Sequence, residues 1–126
     1  MPTFTEQTLT SGASSGAATD DLVFVCGIAI DSATMSRLPA GGSIADETNL
    51  VLDLIADHLR QSGCTLADVV KTTCYVSDES YRMEFIAAYR ERFAPGPYPA
   101  RCTFSIGLAG DCRVQIDAIA YRGAGE

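Results

Sequence analysis

Near the C-terminus, Pro99-Ala100 leads into Arg101 at the mouth of a strand-like run. A guanidinium is permanently charged and presents a planar fork of donors that matches a carboxylate. Arg101 therefore reports most directly on what the chain binds. Two readings of it stand, an ion pair across a subunit interface or an anchor for a ligand carboxylate. Gln115 and Asp117 follow on one face of the next alternating run. They form either a solvated or intersubunit polar face or part of the same cleft. If the cleft needs a base, Asp117 is close in sequence, but two residues along a strand span about 7 Å. Tyr98, beside Pro99, either lends the cleft an aromatic wall or packs within the turn.

Other reactive types point away from common chemistries. His58 is the only histidine and falls on the apolar stripe of a helical segment, where it reads as a packing residue. Without a second histidine there is neither a serine-type triad nor an ordinary zinc site. The five cysteines, at 26, 64, 74, 102 and 112, are odd in number, never closer than ten residues, and include no CxxC. That spacing suits neither a zinc ribbon nor a secreted disulfide scaffold, and fits reduced, mostly buried thiols. Gly41-Gly42 and the Gly12–Gly16 segment lack the spacing of a phosphate loop. No metal and no cofactor is expected.

These residues need elements to position them. Leu22 to Ile30 is apolar and rich in β-branched residues, hence a buried strand. Gly27 within it marks a bulge or the close approach of a ligand or another backbone. Residues 10 to 20 are small and polar and read as a loop or weak edge strand, and 31 to 42 return to loop character. Ser43, with Asp46 and Glu47 in the first turn, starts a helix. Its stripe is Ile44, Thr48, Val51, Leu54, Ile55 and His58, and Gly63 closes it. Asp68 to Ser77 is a second strand. Asp78 caps a second helix carrying Phe85, Ile86, Tyr89 and Phe93, which Pro95-Gly96-Pro97 stops. Residues 101–108 and 112–122 are the closing strands, expected to pair as a hairpin. In the last, Cys112, Val114, Ile116, Ala118 and Ala120 alternate with Arg113, Gln115, Asp117, Ile119 and Tyr121. The order predicts an α+β fold, one mixed sheet with both helices on one face. The other face carries apolar as well as polar residues and invites packing against another subunit.

The 126 residues fit one domain, 1–126, with 47% hydrophobic and 20% charged residues. The net charge of −7, with its scattered basic residues, disfavours binding to nucleic-acid backbones. Residues 1 to 7 carry no positive or apolar leader signal and no stretch has the length of a membrane span, so a soluble, cytoplasmic protein is expected.

Four segments carry a family resemblance: Val25-Cys26-Gly27 with Ile28-Ala29-Ile30, Asp68 to Val76, Tyr89 to Phe93 ahead of Pro99-Ala100-Arg101, and Val114 to Ala120. In order and spacing they resemble the RidA/YjgF family, also labelled endoribonuclease L-PSP or translation initiation inhibitor. The resemblance implies a chorismate-mutase-like fold and a homotrimer with clefts between subunits. It also implies hydrolysis of small carboxylate-bearing enamines and imines, such as 2-aminoacrylate and 2-iminopropionate, to keto acid and ammonia. By this resemblance Arg101 grips the substrate carboxylate, Gly27 offers backbone contacts, and Thr103 lines the pocket. The family's usual glutamate is replaced by Gln115, which keeps hydrogen bonding but cannot accept a proton. The usual serine is Cys26, an asparagine is Ile86, a pocket tyrosine aligns with Ala13, and the usual Leu-Pro is Leu108-Ala109. Cys26, read as next to the carboxylate-binding arginine, is either a nucleophile with a lowered pKa or a small side chain of a buried strand. The alternatives to a deaminase are a non-catalytic trimer that binds keto acids and a ribonuclease or translation inhibitor. The latter is disfavoured by the acidic composition and the lack of a histidine pair.

Overall fold

The computed structural model describes residues 1–123, so the last three positions of the expected domain range 1–126 lie outside the described residues. The elements run β1 (Thr3–Thr8), β2 (Ala13–Ala18), β3 (Leu22–Ile28), β4 (Ile30–Asp31), β5 (Ser36–Arg37), α1 (Ile44–Gln61), β6 (Val69–Val76), α2 (Arg82–Phe93), β7 (Ala100–Ser105) and β8 (Val114–Tyr121). Six strands form one sheet in the order β1-β2-β3-β8-β6-β7, and β4 with β5 makes a separate ribbon. Only the β6–β7 pair in the sheet is parallel. Both helices lie on the same side, with α1 against β3 and β8 and α2 against α1. This is the α+β arrangement that the element order predicts.

The pairing at the C-terminus differs from expectation. No hairpin joins β7 to β8. β8 inserts between β3 and β6, and β7 sits outside β6 at the sheet edge. A parallel neighbour requires a crossover, and α2 provides it between β6 and β7. β8, laddered on both sides, is the central lane of the sheet. Its Val114, Ile116, Ala118 and Ala120 are buried under the helices, while Gln115, Asp117, Ile119 and Tyr121 point to the open face. The N-terminal half holds a second surprise. Residues 13–18 are the strand β2, and β1, which no apolar alternation announces, covers its outer edge.

Local chemistry accounts for the helix ends. Ser43 Oγ accepts from the Asp46 amide while the Asp46 carboxylate accepts from the Ser43 amide, a reciprocal cap. Past the last turn, Gly63 adopts φ of +80°, a left-handed conformation that glycine takes without the strain a Cβ would bring. Asp78 caps a short 3-10 turn, Glu79–Tyr81, rather than α2 itself. The latter begins at Tyr81 without a side-chain cap.

Gly27 owes its identity to helix packing. A Cβ there would lie 2.7 Å from Ile55 Cγ1 and 3.1 Å from Val51 Cγ1. Side chains of α1, and not the bulge, ligand or second backbone that the sequence suggested, take the space a Cβ would fill. Glu47 is fully buried, beyond its first-turn role. Its carboxylate accepts from Arg113 Nε at 2.7 Å and from the Arg113 and Val114 amides at 2.7 and 3.1 Å. Arg113 Nη2 also donates to the carbonyls of Gly41 and Gly42. This knot ties the start of β8 to the start of α1, with every polar group of the acid satisfied.

Candidate functional site

Arg101 lies on the helix side of the sheet. Its register partner on β6 is Thr72, which is buried and hydrogen-bonds the Tyr89 hydroxyl of α2 at 2.7 Å. The Arg101 guanidinium carbon stands 5.3 Å from the centroid of the Tyr89 ring, a cation–π contact. Nη1 donates to Thr103 Oγ1 at 2.5 Å. Arg82 Nη1 donates to the Thr103 carbonyl at 2.9 Å and holds the edge strand to the start of α2. Among the described residues no carboxylate lies within ion-pair distance of Arg101. Most of its donors are therefore available.

A groove of about 400 Å³ opens beside it, lined by Ile86, Tyr89, Arg90, Tyr98, Pro99 and Arg101. Two cations in an acidic chain thus face one groove. Tyr98 lines the groove, and a Cβ at Gly96 would meet its ring at 3.1 Å. Burial pushes the Tyr89 phenol up to about 12, so the ring under the guanidinium stays neutral.

Cys26, Gln115 and Asp117 are on the opposite, open face. The register sets Cys26 on β3 and Thr73 on β6 directly beside Asp117 on β8, and Ile28 and Tyr75 beside Gln115. Gln115 Nε2 donates to Asp117 Oδ1 at 3.3 Å. The 7 Å of backbone between them is closed by side chains leaning together. One pleat along, Lys71 Nζ lies 3.1 Å from Cys102 Sγ. The ladder between β2 and β3 runs only from Ala18↔Val23 to Gly16↔Val25. Beyond it a groove of about 540 Å³ opens beside Cys26, Gly27 and Ile28 and reaches His58. His58 is buried as its stripe position predicts, with Nδ1 3.1 Å from a carboxylate oxygen of Glu6.

Within one subunit, then, the sheet separates the sequence-predicted site residues. Arg101, Thr103 and Tyr98 are together on one side, and Cys26, Gln115 and Asp117 on the other. Gly27 marks the groove at the end of β3. Cys26 is three strands from β7, about 14 Å across the ladder. Its expected activation by Arg101 does not occur within the subunit. Burial, and then the charge of Asp117, push its thiol up to about 11. The same carboxylate adds to burial in raising Tyr75. Sequence reasoning missed Tyr89 as the platform for Arg101 and set Asp117 aside on distance. The signal for the first was its place on α2 facing the sheet edge. For the second it was the shared parity with Gln115. Among the described residues no group of three His, Cys, Asp or Glu stands close enough to hold a metal ion.

Comparison with known proteins gives the class to which this mixed sheet and its crossover edge strand belong. Residues 7–122 match the model of the family described as Endoribonuclease L-PSP, and the chain belongs to that family, the one also called RidA/YjgF. It is 33% identical over 104 residues to a RutC family protein of Pyrococcus abyssi, covering 81% of this chain and 80% of that one. It is 30% identical over 106 residues to a rat protein named 2-iminobutanoate/2-iminopropanoate deaminase, covering 82% of this chain and 75% of the relative. In fold it is similar to the Escherichia coli YjgF gene product, with a TM-score of 0.79, 22% identity and 94% of each chain covered. A YjgF family member from Neisseria meningitidis superposes with a TM-score of 0.82 at 22% identity, covering 98% and 96% of the two chains.

Proposed function

We propose that this chain hydrolyses small carboxylate-bearing enamines and imines to keto acid and ammonia, in sites shared between the subunits of a homotrimer. The observation that carries this reading is the acid-free guanidinium of Arg101, stacked on Tyr89 at a groove with a second arginine. The named activity of the rat relative supports the reaction class. Assembly is supported by the open face, where Phe24, Phe104 and Tyr121 are 40%, 53% and 49% exposed. An apolar sheet face of this kind is normally covered. Packing the open face of one subunit against the Arg101 edge of the next brings the two half-sites together.

Arg101 then holds the carboxylate, main-chain groups at Gly27 and Thr103 orient the substrate, and Gln115 holds water. Water adds to the carbon of the C=N bond to give a carbinolamine. The C–N bond then breaks, ammonia leaves and the carbonyl forms. A protonated imine is electrophilic, so positioning supplies much of the rate. To test this, 2-iminopropionate is generated in situ with an amino-acid oxidase and its decay is followed. Acceleration that Arg101→Ala weakens strongly at low substrate concentration is expected. No acceleration by the wild type overturns the reading.

The amide at Gln115 favours a second reading, a non-catalytic binder of keto acids. Under it, keto acids raise the melting temperature of the wild type but not of Arg101→Ala, and no turnover is seen. The net charge of −7 argues against RNA as substrate. The free cysteines suit a reducing compartment, and we place the protein in the cytoplasm on that ground. Among the described residues no helix is long and apolar enough to cross a membrane.

A further inference from the structure

Hydrolysis of an imine moves a proton off water and another onto the leaving nitrogen. Gln115 can accept a hydrogen bond from water but cannot take its proton. The side chain that Gln115 touches on the open face is the carboxylate of Asp117, at 3.3 Å. An amide beside a carboxylate must turn its N–H toward it, because its carbonyl oxygen would be repelled. Gln115 Oε1 is thereby directed away from Asp117. The pair leaves an amide acceptor and a carboxylate on the same open face.

We propose that Asp117 is the proton-transfer group of this site, with Gln115 as its water-holding arm. The inference rests on the imine-hydrolysis reading. One water donates to both acceptors and keeps a lone pair for the imine carbon. As the C–O bond forms, the C=N π pair moves to nitrogen and Asp117 takes the proton that water loses. Asp117 then returns that proton to the amino nitrogen of the carbinolamine. The C–N bond breaks with its electron pair going to nitrogen, the hydroxyl oxygen forms the carbonyl and gives its proton to the departing ammonia, and keto acid and ammonium remain with Asp117 in its starting state.

The surroundings suit this assignment. The groups facing Asp117 are the Cys26 thiol from β3, Thr73 and the Tyr75 hydroxyl from β6, and Gln115 on its own strand. Lys71, the cation on the same face of β6, stands one pleat along beside Cys102. Arg101 is on the other side of the subunit's sheet. Burial first, and then the carboxylate, oppose the ionisation of both thiol and phenol.

The test is the pH profile of kcat for 2-iminopropionate in four proteins. The wild type is expected to lose activity toward acid, the limb of a site that works through a general base. Asp117→Asn keeps the shape and the hydrogen bond to Gln115. It should lower kcat by about 10²-fold or more, the usual share of a general base, with KM within about twofold. It should also lose the acid limb. The Gln115→Glu/Asp117→Asn pair, which moves the carboxylate to the neighbouring arm, should regain most of kcat and the limb. Arg101→Ala should change KM instead and keep the limb. Wild-type kcat and limb in Asp117→Asn overturn the inference and leave the hydrolase reading intact. A low kcat that the double variant does not rescue also overturns it, as does a rescue without the limb. No turnover by the wild type overturns both.

Discussion

The two sides of the central sheet are built on opposite terms. On the helix side, groups are closed and paired. Glu47 is wrapped by Arg113 and two amides, Thr72 and Tyr89 satisfy each other, and Gly27 exists to let Ile55 approach. At that side's margin one group, Arg101, keeps most of its donors unspent. On the open side a polar patch of Cys26, Gln115 and Asp117 is set among exposed aromatic residues. The helix side folds the subunit and offers a preformed cation. The open side carries polar groups among exposed aromatic side chains. Close packing therefore falls on one face and exposed groups on the other, and substitutions can probe the division.

The largest effect is expected inside the helix side. Glu47→Ala strands a mostly buried guanidinium and two amides and should cost about 3–4 kcal/mol in urea unfolding. A cost near that of an exposed ion pair would mean that Arg113 finds water and the face is less closed than described. Arg101→Ala should lower kcat/KM by on the order of 10²-fold, about 3 kcal/mol, with unfolding stability nearly unchanged. Arg101→Lys should not restore it, since an ammonium lacks the planar fork. A matched drop in stability would place Arg101 with the folding residues instead. Gly27→Ala should cost about 2 kcal/mol by overpacking against Ile55, read from the same unfolding curves.

The smallest expected effect is chemical. With its thiol at about 11, Cys26 should react with iodoacetamide at pH 8 on the order of tenfold slower than a free cysteine. Asp117→Asn should speed that reaction, because it removes an opposing charge, and peptide mapping by mass spectrometry reads both. The sign extends to stability. Cys26 and Cys74 are both raised from 9.0 to about 11 in the fold, so the folded chain holds these protons longer than the unfolded one. Their contribution is complete below about pH 9 and fades as pH rises toward 11.

What was legible in the sequence was whatever local physics decides. The strict alternation of β8 and the reciprocal cap at Ser43 are each contained in a few neighbouring residues. Strand partners are not local. β7 and β8 are consecutive and antiparallel in direction, yet β6 lies between them because α2 has already claimed the parallel slot. Parity tells which way a side chain points and not what lies beside it. β1 escaped notice since its Thr, Glu and Gln residues meet solvent on both sides. The site was half legible for the same reason. Arg101 was found by chemistry. The sheet that divides it from Cys26, and the lean of Gln115 onto Asp117, are products of tertiary geometry. The burial of Glu47, which suits any first-turn acid equally well by sequence, is another.

The placement of Arg101 and Asp117 on opposite sides of one sheet has a consequence for heredity. If each working site draws its cation from one subunit and its carboxylate from the next, a subunit damaged in one half still carries a sound other half. Two variants, Arg101→Ala and Asp117→Asn, each impaired alone, would then complement one another when co-expressed. Every mixed ring contains a junction where an intact arginine meets an intact aspartate. Mutations in such a gene would behave across alleles in a way that no site confined to one chain allows.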